Sequence, residues 1–443
     1  MPSFYIDQHG CAKNQVDGEE ISARLTDAGF FAAASPEDAD IIIVNTCGFI
    51  EDAKKESIGA IVDAKSRWPD KKIIAAGCLS QRYSQALAED FPEADGILGN
   101  ADLAAIPSAV RDVFRGERKV FAPAQGRSMP EAYYSRKSLF DFPGTSHLKI
   151  TEGCSNRCAY CAIPLIRGEL RSRSVDDVVA EARELIARGV YEIVLIGQDL
   201  GNFGKDRAGR CLLPELIERL EALEGDFRVR VLYIHPDHFP HEILPIIARS
   251  AKIAPYFDLP FQHASAPLLG RMNRRGSPET YLELIAKIRA ALPSAMIRST
   301  FLVGFPGETE EDFQTLLKFQ RDASLDWLGA FAYSREEDTP AHDMRPRVTK
   351  AIARARKAAV EEAQIAITAE RLSRFVGAES RFVVEESFDH DELSIARGWM
   401  QAPEVDGVTL IHAKLDPGTV VRARIISVNG VDFNAVLEYT PGP

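Results

Sequence analysis

The stretch Cys154-Ser-Asn-Arg-Cys158-Ala-Tyr-Cys161 places three thiols within eight residues, spaced C-x3-C-x2-C. It directly follows the strand-like run His147-Leu-Lys-Ile-Thr151. Thiolates are soft ligands that suit zinc and iron–sulfur clusters. A closed tetrahedral zinc site takes a fourth Cys or His, usually from a second C-x2-C or H-x3-H pair. No such pair follows here. Three cysteines on a four-iron cluster instead leave one iron open, where a substrate or cofactor can bind. On that reading Cys154, Cys158 and Cys161 are metal ligands and form the catalytic centre.

Upstream, three strand–helix units run to about residue 118. Strand-like runs end at Gly10-Cys11, at Asn45-Thr46-Cys47-Gly48 and at Gly77-Cys78, and each is followed by a helical segment. Strands alternating with helices imply a parallel sheet with right-handed crossovers. In such a sheet every strand ends along one edge, where open α/β folds bind ligands. Topology therefore carries Cys11, Cys47 and Cys78 to one rim, and they form a second candidate metal set. Residues 119–146, rich in Pro, Gly and Ser without periodicity, read as a linker.

Downstream, apolar strands recur between helices at 192–197, 229–235, 256–261, 297–304 and 327–333. With the strand before Cys154 they make six βα units, a partial (β/α)6 barrel whose strand ends form the active face. Gln198, Asp199, His235, Gln262, His263, Gly304 and Glu308 follow those ends and are the candidate pocket residues. For Arg167, Arg171 and Arg173, beyond the three cysteines, a solvated face and contact with a carboxylate both stay open. Residues 349–374 lack Pro and Gly and read as one long helix. Short β-branched runs after Gly377 predict a small antiparallel barrel of four to five strands. That module holds five basic residues against eleven acidic ones, a net −6, with no basic stripe. The acids concentrate at Glu385, Glu386, Asp389, Asp391 and Glu392, a candidate contact for a basic protein surface.

The fold expected is thus α/β in three parts, with boundaries at 1–118, 140–371 and 374–440. The N-terminus has no basic start or apolar signal core, and no apolar run is long enough to span a bilayer, so a cytoplasmic protein without a membrane partner is expected. Seven cysteines, an odd number, favour metal ligands or free thiols over disulfides. Fifty-three basic residues against 65 acidic ones leave a net charge of −12. That balance argues against tight nucleic-acid binding, which draws on Lys and Arg to neutralise phosphates.

The whole chain resembles the radical S-adenosylmethionine methylthiotransferases. The resemblance rests on Gly10-Cys11-Ala-Lys-Asn14, Asn45-Thr-Cys-Gly-Phe49, Gly77-Cys78-Leu, the C-x3-C-x2-C stretch and a C-terminal barrel of the TRAM type. Cys161-Ala-Ile-Pro-Leu-Ile-Arg-Gly-Glu-Leu-Arg-Ser-Arg173 and Asp258-Leu-Pro-Phe-Gln-His-Ala-Ser265 look like the branch that modifies an aspartate of ribosomal protein S-12. A second branch modifies an adenosine beside the tRNA anticodon and shares every cysteine motif. The resemblance implies two 4Fe-4S clusters, on Cys154/Cys158/Cys161 and on Cys11/Cys47/Cys78. It also implies S-adenosylmethionine in a pocket to which Gln198, Asp199, Gln262, His263, Gly304 and Glu308 contribute. Radical abstraction of a hydrogen from the aspartate β-carbon and transfer of a methylated sulfur to that carbon are implied as the reaction. The partners implied are S-12, free or in the small subunit, and an electron donor such as flavodoxin or ferredoxin.

Cys158→Ala is expected to remove about half of the bound iron and abolish cleavage of S-adenosylmethionine, because the two sets are independent. Cys211→Ser is expected to keep the full iron content; iron analysis of both variants after anaerobic reconstitution checks this.

Overall fold

The computed structural model describes residues 2–126, 129, 132–388 and 392–438. They form two compact units. One comprises Met1–Phe140, Lys149–Asp177 and Ser334–His342; the other comprises Asp141–Leu148, Val178–Tyr333 and Asp343–Pro443.

The first unit is built on a six-stranded parallel sheet. Its strands are β1 (Ser3–Gln8), β2 (Phe31–Ala32), β3 (Ile41–Thr46), β4 (Lys72–Gly77), β5 (Gly96–Leu98) and β6 (Lys119–Phe121), in the order β2-β1-β3-β4-β5-β6. The Ile41-Ile-Ile-Val44 run of β3 is continuous because helices cover both faces of the sheet. Alternate side chains then serve different cores. Ile41 and Ile43 pack with Ile21, Leu25, Val110 and Val113, whereas Ile42 and Val44 pack with Ile61, Leu79 and Leu87. Three strands go beyond the three units expected: β2, β5 and β6 have only two or three residues, too few to show a period. The last of them comes from the segment read as a linker. The C-x3-C-x2-C segment belongs to this unit, where the two-residue strands Thr151–Glu152 and Arg171–Ser172 pair antiparallel at its base.

The second unit holds the barrel strands β7 (Thr145–Lys149, except its last residue), β8 (Glu192–Ile196), β9 (Arg228–Val231), β10 (Tyr256–Asp258), β11 (Met296–Val303) and β12 (Trp327–Ala332). They form two sheets, β9-β8-β7 and β10-β11-β12. A bond from Ile234 N–H to Asp258 O, 3.0 Å, links the two. Each of the six overlaps its run in the sequence, although β7 lies two residues earlier than His147–Thr151 and β9 ends at Val231 rather than at residue 235.

The Lys350–Ser373 helix leads into a closed five-stranded barrel of β13 (Glu379–Phe388), β14 (Leu393–Arg397), β15 (Thr409–Ile411), β16 (Val420–Asn429) and β17 (Asp432–Leu437). One pair, β15 with β17, is parallel; the other pairs are antiparallel. Strand β14, Leu-Ser-Ile-Ala-Arg, lies outside the apolar runs read from the sequence and ends on Arg397, which is buried.

Arg397 explains itself through its partners. Glu192, fully buried at the start of β8, accepts from Arg230 Nε at 2.6 Å, Arg228 Nη2 at 2.5 Å and Arg397 Nη1 at 2.7 Å. Arg397 also donates to Glu385 Oε1 at 2.7 Å and Thr145 Oγ1 at 2.9 Å. Burial alone would push the Glu192 carboxyl up, but the three guanidiniums outweigh it and hold the group well below the usual carboxylate range. Glu385 is thereby removed from the surface acidic run in which the sequence places it.

Removing one member of a buried ionic group leaves uncompensated charge. Glu192→Gln is expected to cost about 3–5 kcal/mol, seen as a lower urea midpoint. Because folding depresses this carboxyl, its contribution is present above the unfolded value of about 4.3 and fades as pH falls below it. The variant should therefore lose less stability on acidification than the wild type.

Candidate metal centres and cofactor pocket

The three N-terminal cysteines follow neighbouring strands at one edge of the sheet. Cys11 caps the Ala12–Asp27 helix, Cys47 follows β3, and Cys78 opens the Cys78–Arg82 helix directly after Gly77. Two glycines allow the loops to touch. A Cβ at Gly10 would lie 2.9 Å from Cys47 Cβ, and one at Gly48 would lie 2.7 Å from Leu79 Cα. Asn14 ties the loops together: its Nδ2 donates to His9 O at 2.8 Å and to Asn45 O and Thr46 O at 3.2 Å. Cys47 N–H donates to Ser57 Oγ at 2.9 Å.

The C-x3-C-x2-C loop is anchored at both ends. Cys154 N–H donates to Gly168 O and Cys161 N–H to Cys158 O, each at 3.0 Å. Arg157, between them, takes a positive φ of 52°. The loop runs into the short Ile163–Arg167 helix, and Ile163 N–H donates to Cys161 Sγ at 3.5 Å. Ala162 and Ile166 pack on Cys78, so this helix joins the second cysteine set. The Ser334–His342 segment braces both sets. Its Glu336 accepts from Arg82 and Lys54, each at 2.8 Å, while Ala341 N–H donates to Ala159 O at 2.8 Å.

Arg167, Arg171 and Arg173 are all buried, which rules out a solvated face. Arg173 Nε donates to Asp177 at 2.6 Å, and Arg171 reaches Gly126 O at 2.6 Å and Gln125 Oε1 at 2.9 Å. Arg167 donates to Glu152 Oε1 at 2.7 Å, Asp17 Oδ2 at 2.8 Å and Cys78 Sγ at 3.2 Å. Lys149 completes the group, pairing with Asp17 and, at 2.7 Å, with Glu152. Sequence reasoning missed Asp17, Lys149 and Glu152. The signal available was a Lys and a Glu three residues apart inside an otherwise buried strand end.

In the second unit the predicted pocket residues fall into two groups. Asp199 is buried and fully engaged: Oδ1 accepts from Gly201 N–H at 3.0 Å and His235 N–H at 3.1 Å, and Oδ2 from Asn202 at 2.7 Å, with His238 Nδ1 at 2.9 Å. Burial, with Arg274 nearby, lowers His235 to about 3, so its ring is neutral at pH 7. Gln198 is half-buried beside Asp199. His263 is fully buried; its Nδ1 accepts from Ser265 N–H at 3.0 Å, and its Nε2 lies 3.7 Å from Glu308 Oε1. Glu308 accepts from Gly304 N–H and sits 3.2 Å from Arg356. Gln262 has a positive φ of 67° and exchanges backbone bonds with β11. Asp199, Gly304 and Glu308 thus hold loops in place. Cys211, expected not to be a ligand, lies in this unit between the Lys205–Ala208 and Leu213–Glu221 helices.

The donor chemistry fits a thiolate-bound iron–sulfur group. Arg167 is a permanent cation with donors only and faces Cys78 sulfur at hydrogen-bond distance, whereas burial pushes that thiol up to about 12 and its S–H also faces Asn14 Oδ1 at 3.6 Å. A cluster iron bound to the sulfur would displace that proton. Among the described residues no three His, Cys, Asp or Glu side chains converge as tightly as one metal ion requires. A four-iron cluster spreads its ligands farther apart than a single ion does.

Comparison with known proteins agrees with this chemistry. Residues 3–99 match uncharacterized protein family UPF0004, residues 148–319 the Radical SAM superfamily and residues 376–437 the TRAM domain. The ribosomal protein uS12 methylthiotransferase RimO of Treponema denticola is 42% identical, over 97% of this chain and all of the relative. That of Desulforudis audaxviator is also 42% identical, over 98% and 96%. The chain belongs to the ribosomal protein uS12 methylthiotransferase family. A solved structure of the radical S-adenosylmethionine methyltransferase TsrM from Kitasatospora setae shares the fold at a TM-score of 0.57 and 16% identity, over 77% of this chain and 74% of that one. Within the family's architecture, the two cysteine sets of this chain lie in a single compact unit.

Because a Cβ at Gly48 would strike backbone rather than a movable side chain, Gly48→Ala is expected to separate the Cys47 and Cys78 loops. About half of the iron should be lost while cleavage of S-adenosylmethionine by the other set survives; iron and 5′-deoxyadenosine assays check both.

Proposed function

We propose that this protein is a radical S-adenosylmethionine methylthiotransferase that places a methylthio group on the β-carbon of an aspartate in ribosomal protein uS12. The observation that carries the reading is 42% identity over essentially the full length of a uS12 methylthiotransferase, with both three-thiol sets present. Cys154, Cys158 and Cys161 would hold one 4Fe-4S cluster, and Cys11, Cys47 and Cys78 the other. When bound, these groups supply the electron that cleaves S-adenosylmethionine and the sulfur that is transferred. The protein's own part is positioning and exclusion of water.

Gln198, Gln262 and His263 are our candidates for polar contacts to S-adenosylmethionine. Asp199, Gly304 and Glu308 shape the loops that carry them. Neutral His235 would add no competing positive charge to such a pocket. We propose 1–118, 140–371 and 374–440 as the working modules, a flavodoxin or ferredoxin as electron donor, and the cytoplasm as the location. No helix among the described residues is long and apolar enough to cross a membrane.

The acidic C-terminal barrel would meet the basic uS12 rather than a nucleic acid. Glu386 and Glu392 are exposed and remain candidates for that contact. Glu385 does not, being buried against Arg397, and Asp389 and Asp391 lie outside the described residues.

Mass spectrometry of uS12 and of tRNA, from cells with and without this protein, tests the reading. Loss of a methylthio group from one uS12 aspartate, with tRNA unchanged, is the expected outcome. An unchanged uS12 with loss from tRNA would establish the tRNA-modifying reading instead.

A further inference from the structure

Arg167 lies six residues beyond Cys161, yet its guanidinium is directed at the other cysteine set. Its Nη2 stands 3.2 Å from Cys78 Sγ. The side chain is almost wholly buried and cannot swing away, because Glu152 and Asp17 hold the same guanidinium at 2.7 and 2.8 Å. Lys149 bridges those two carboxylates in turn. Two carboxylates and two cations balance, so the group is neutral as a whole while presenting N–H donors to sulfur.

A second donor reaches the same atom. Asn100 Nδ2 lies 3.5 Å from Cys78 Sγ, and Asn100 Oδ1 accepts from Gln125 Nε2 at 3.0 Å. Gln125 is held by Arg171, whose guanidinium also reaches the Arg167 carbonyl at 3.2 Å. Arg167 and Arg171 both come from the segment after the C-x3-C-x2-C loop. One thiol of the N-terminal set is therefore served by two hydrogen-bond donors, both positioned by the other cysteine segment.

Hydrogen bonds donated to a cluster thiolate favour the reduced, more negative state and raise the reduction potential. We propose that Arg167, assisted by Asn100, is a positioning residue that raises the reduction potential of the cluster held by Cys11, Cys47 and Cys78. This rests on the assignment of a cluster to those three thiols. It makes the segment after Cys161 a source of hydrogen-bond donors to both sets, since Ile163 N–H also reaches Cys161 Sγ at 3.5 Å.

The test uses the full chain carrying Cys154→Ala, Cys158→Ala and Cys161→Ala, which leaves only the N-terminal set. Iron is counted after anaerobic reconstitution, and the midpoint potential is measured by a redox titration followed by electron paramagnetic resonance. A parent chain that binds no iron overturns the cluster assignment, and the inference with it. Given a bound cluster, Arg167→Gln is expected to retain the iron and shift the redox equilibrium towards the oxidised state about tenfold, ~59 mV for one electron. Arg167→Lys keeps the charge and should recover part of that shift. Asn100→Ala should shift the potential the same way by less, and Arg167→Lys, which keeps a cation between the buried carboxylates, decides the matter if Arg167→Gln does not fold. A midpoint unchanged in the folded Arg167 variants overturns the proposal.

Discussion

A guanidinium cannot discard its proton, so Arg167 must be compensated wherever it is buried. Glu152, Asp17 and the Cys78 sulfur supply that compensation, and each comes from a different part of the chain. Asp17 lies on the helix that begins after Cys11, Glu152 lies just before Cys154, and Cys78 opens the helix after β4. The ionic group can close only when the N-terminal sheet and the C-x3-C-x2-C segment are both in register. This one requirement makes the two cysteine sets parts of a single unit rather than separate sites on a string of modules.

The second unit uses the same physics for a different end. Glu192 gathers Arg228 and Arg230 from the neighbouring strand and Arg397 from the C-terminal barrel, and Arg397 brings Glu385 with it. Asp406 does likewise, accepting from the Tyr256 hydroxyl at 2.6 Å and pairing with Arg298. Directional, desolvated charge pairs specify one arrangement of barrel and C-terminal module, where apolar surface alone would tolerate several. The consequence for recognition is that Glu385 and Asp406 are spent internally. The surface offered to a basic partner is less acidic than a count of residues suggests.

Catalytic demands explain why the thiols sit on loops and the bracing lies beneath them. The cysteines follow strand ends, where backbone geometry is free to bring distant positions together. The helices and the Ser334–His342 segment then fix those loops through backbone bonds and the Arg82–Glu336–Lys54 pairs. Asp199 shows the same division in the second unit: a residue at a strand end that looks like a ligand contact holds the backbone around it instead.

Much of this protein was legible in its residues. Cysteine spacing implied an open-iron cluster because ligand number and spacing are local properties. The strand–helix alternation carried Cys11, Cys47 and Cys78 to one edge because a parallel sheet leaves no other place for its strand ends. Barrel strands such as β8, Glu-Ile-Val-Leu-Ile and wholly buried, were visible as apolar runs, since segments buried on both faces need no partner to be recognised. Tertiary structure alone decided the rest. Strands of two or three residues, such as β2 and β5, exist only because a neighbour supplies their hydrogen bonds. The fate of Arg167, Arg397, Glu385 and Asp17 could not be read, because a charged residue looks the same in sequence whether it faces water or a buried opposite charge. For Arg167, Arg397 and Asp17 that depends on partners more than a hundred residues away, and for Glu385 on Arg397 of the paired strand, and only the folded chain brings them together.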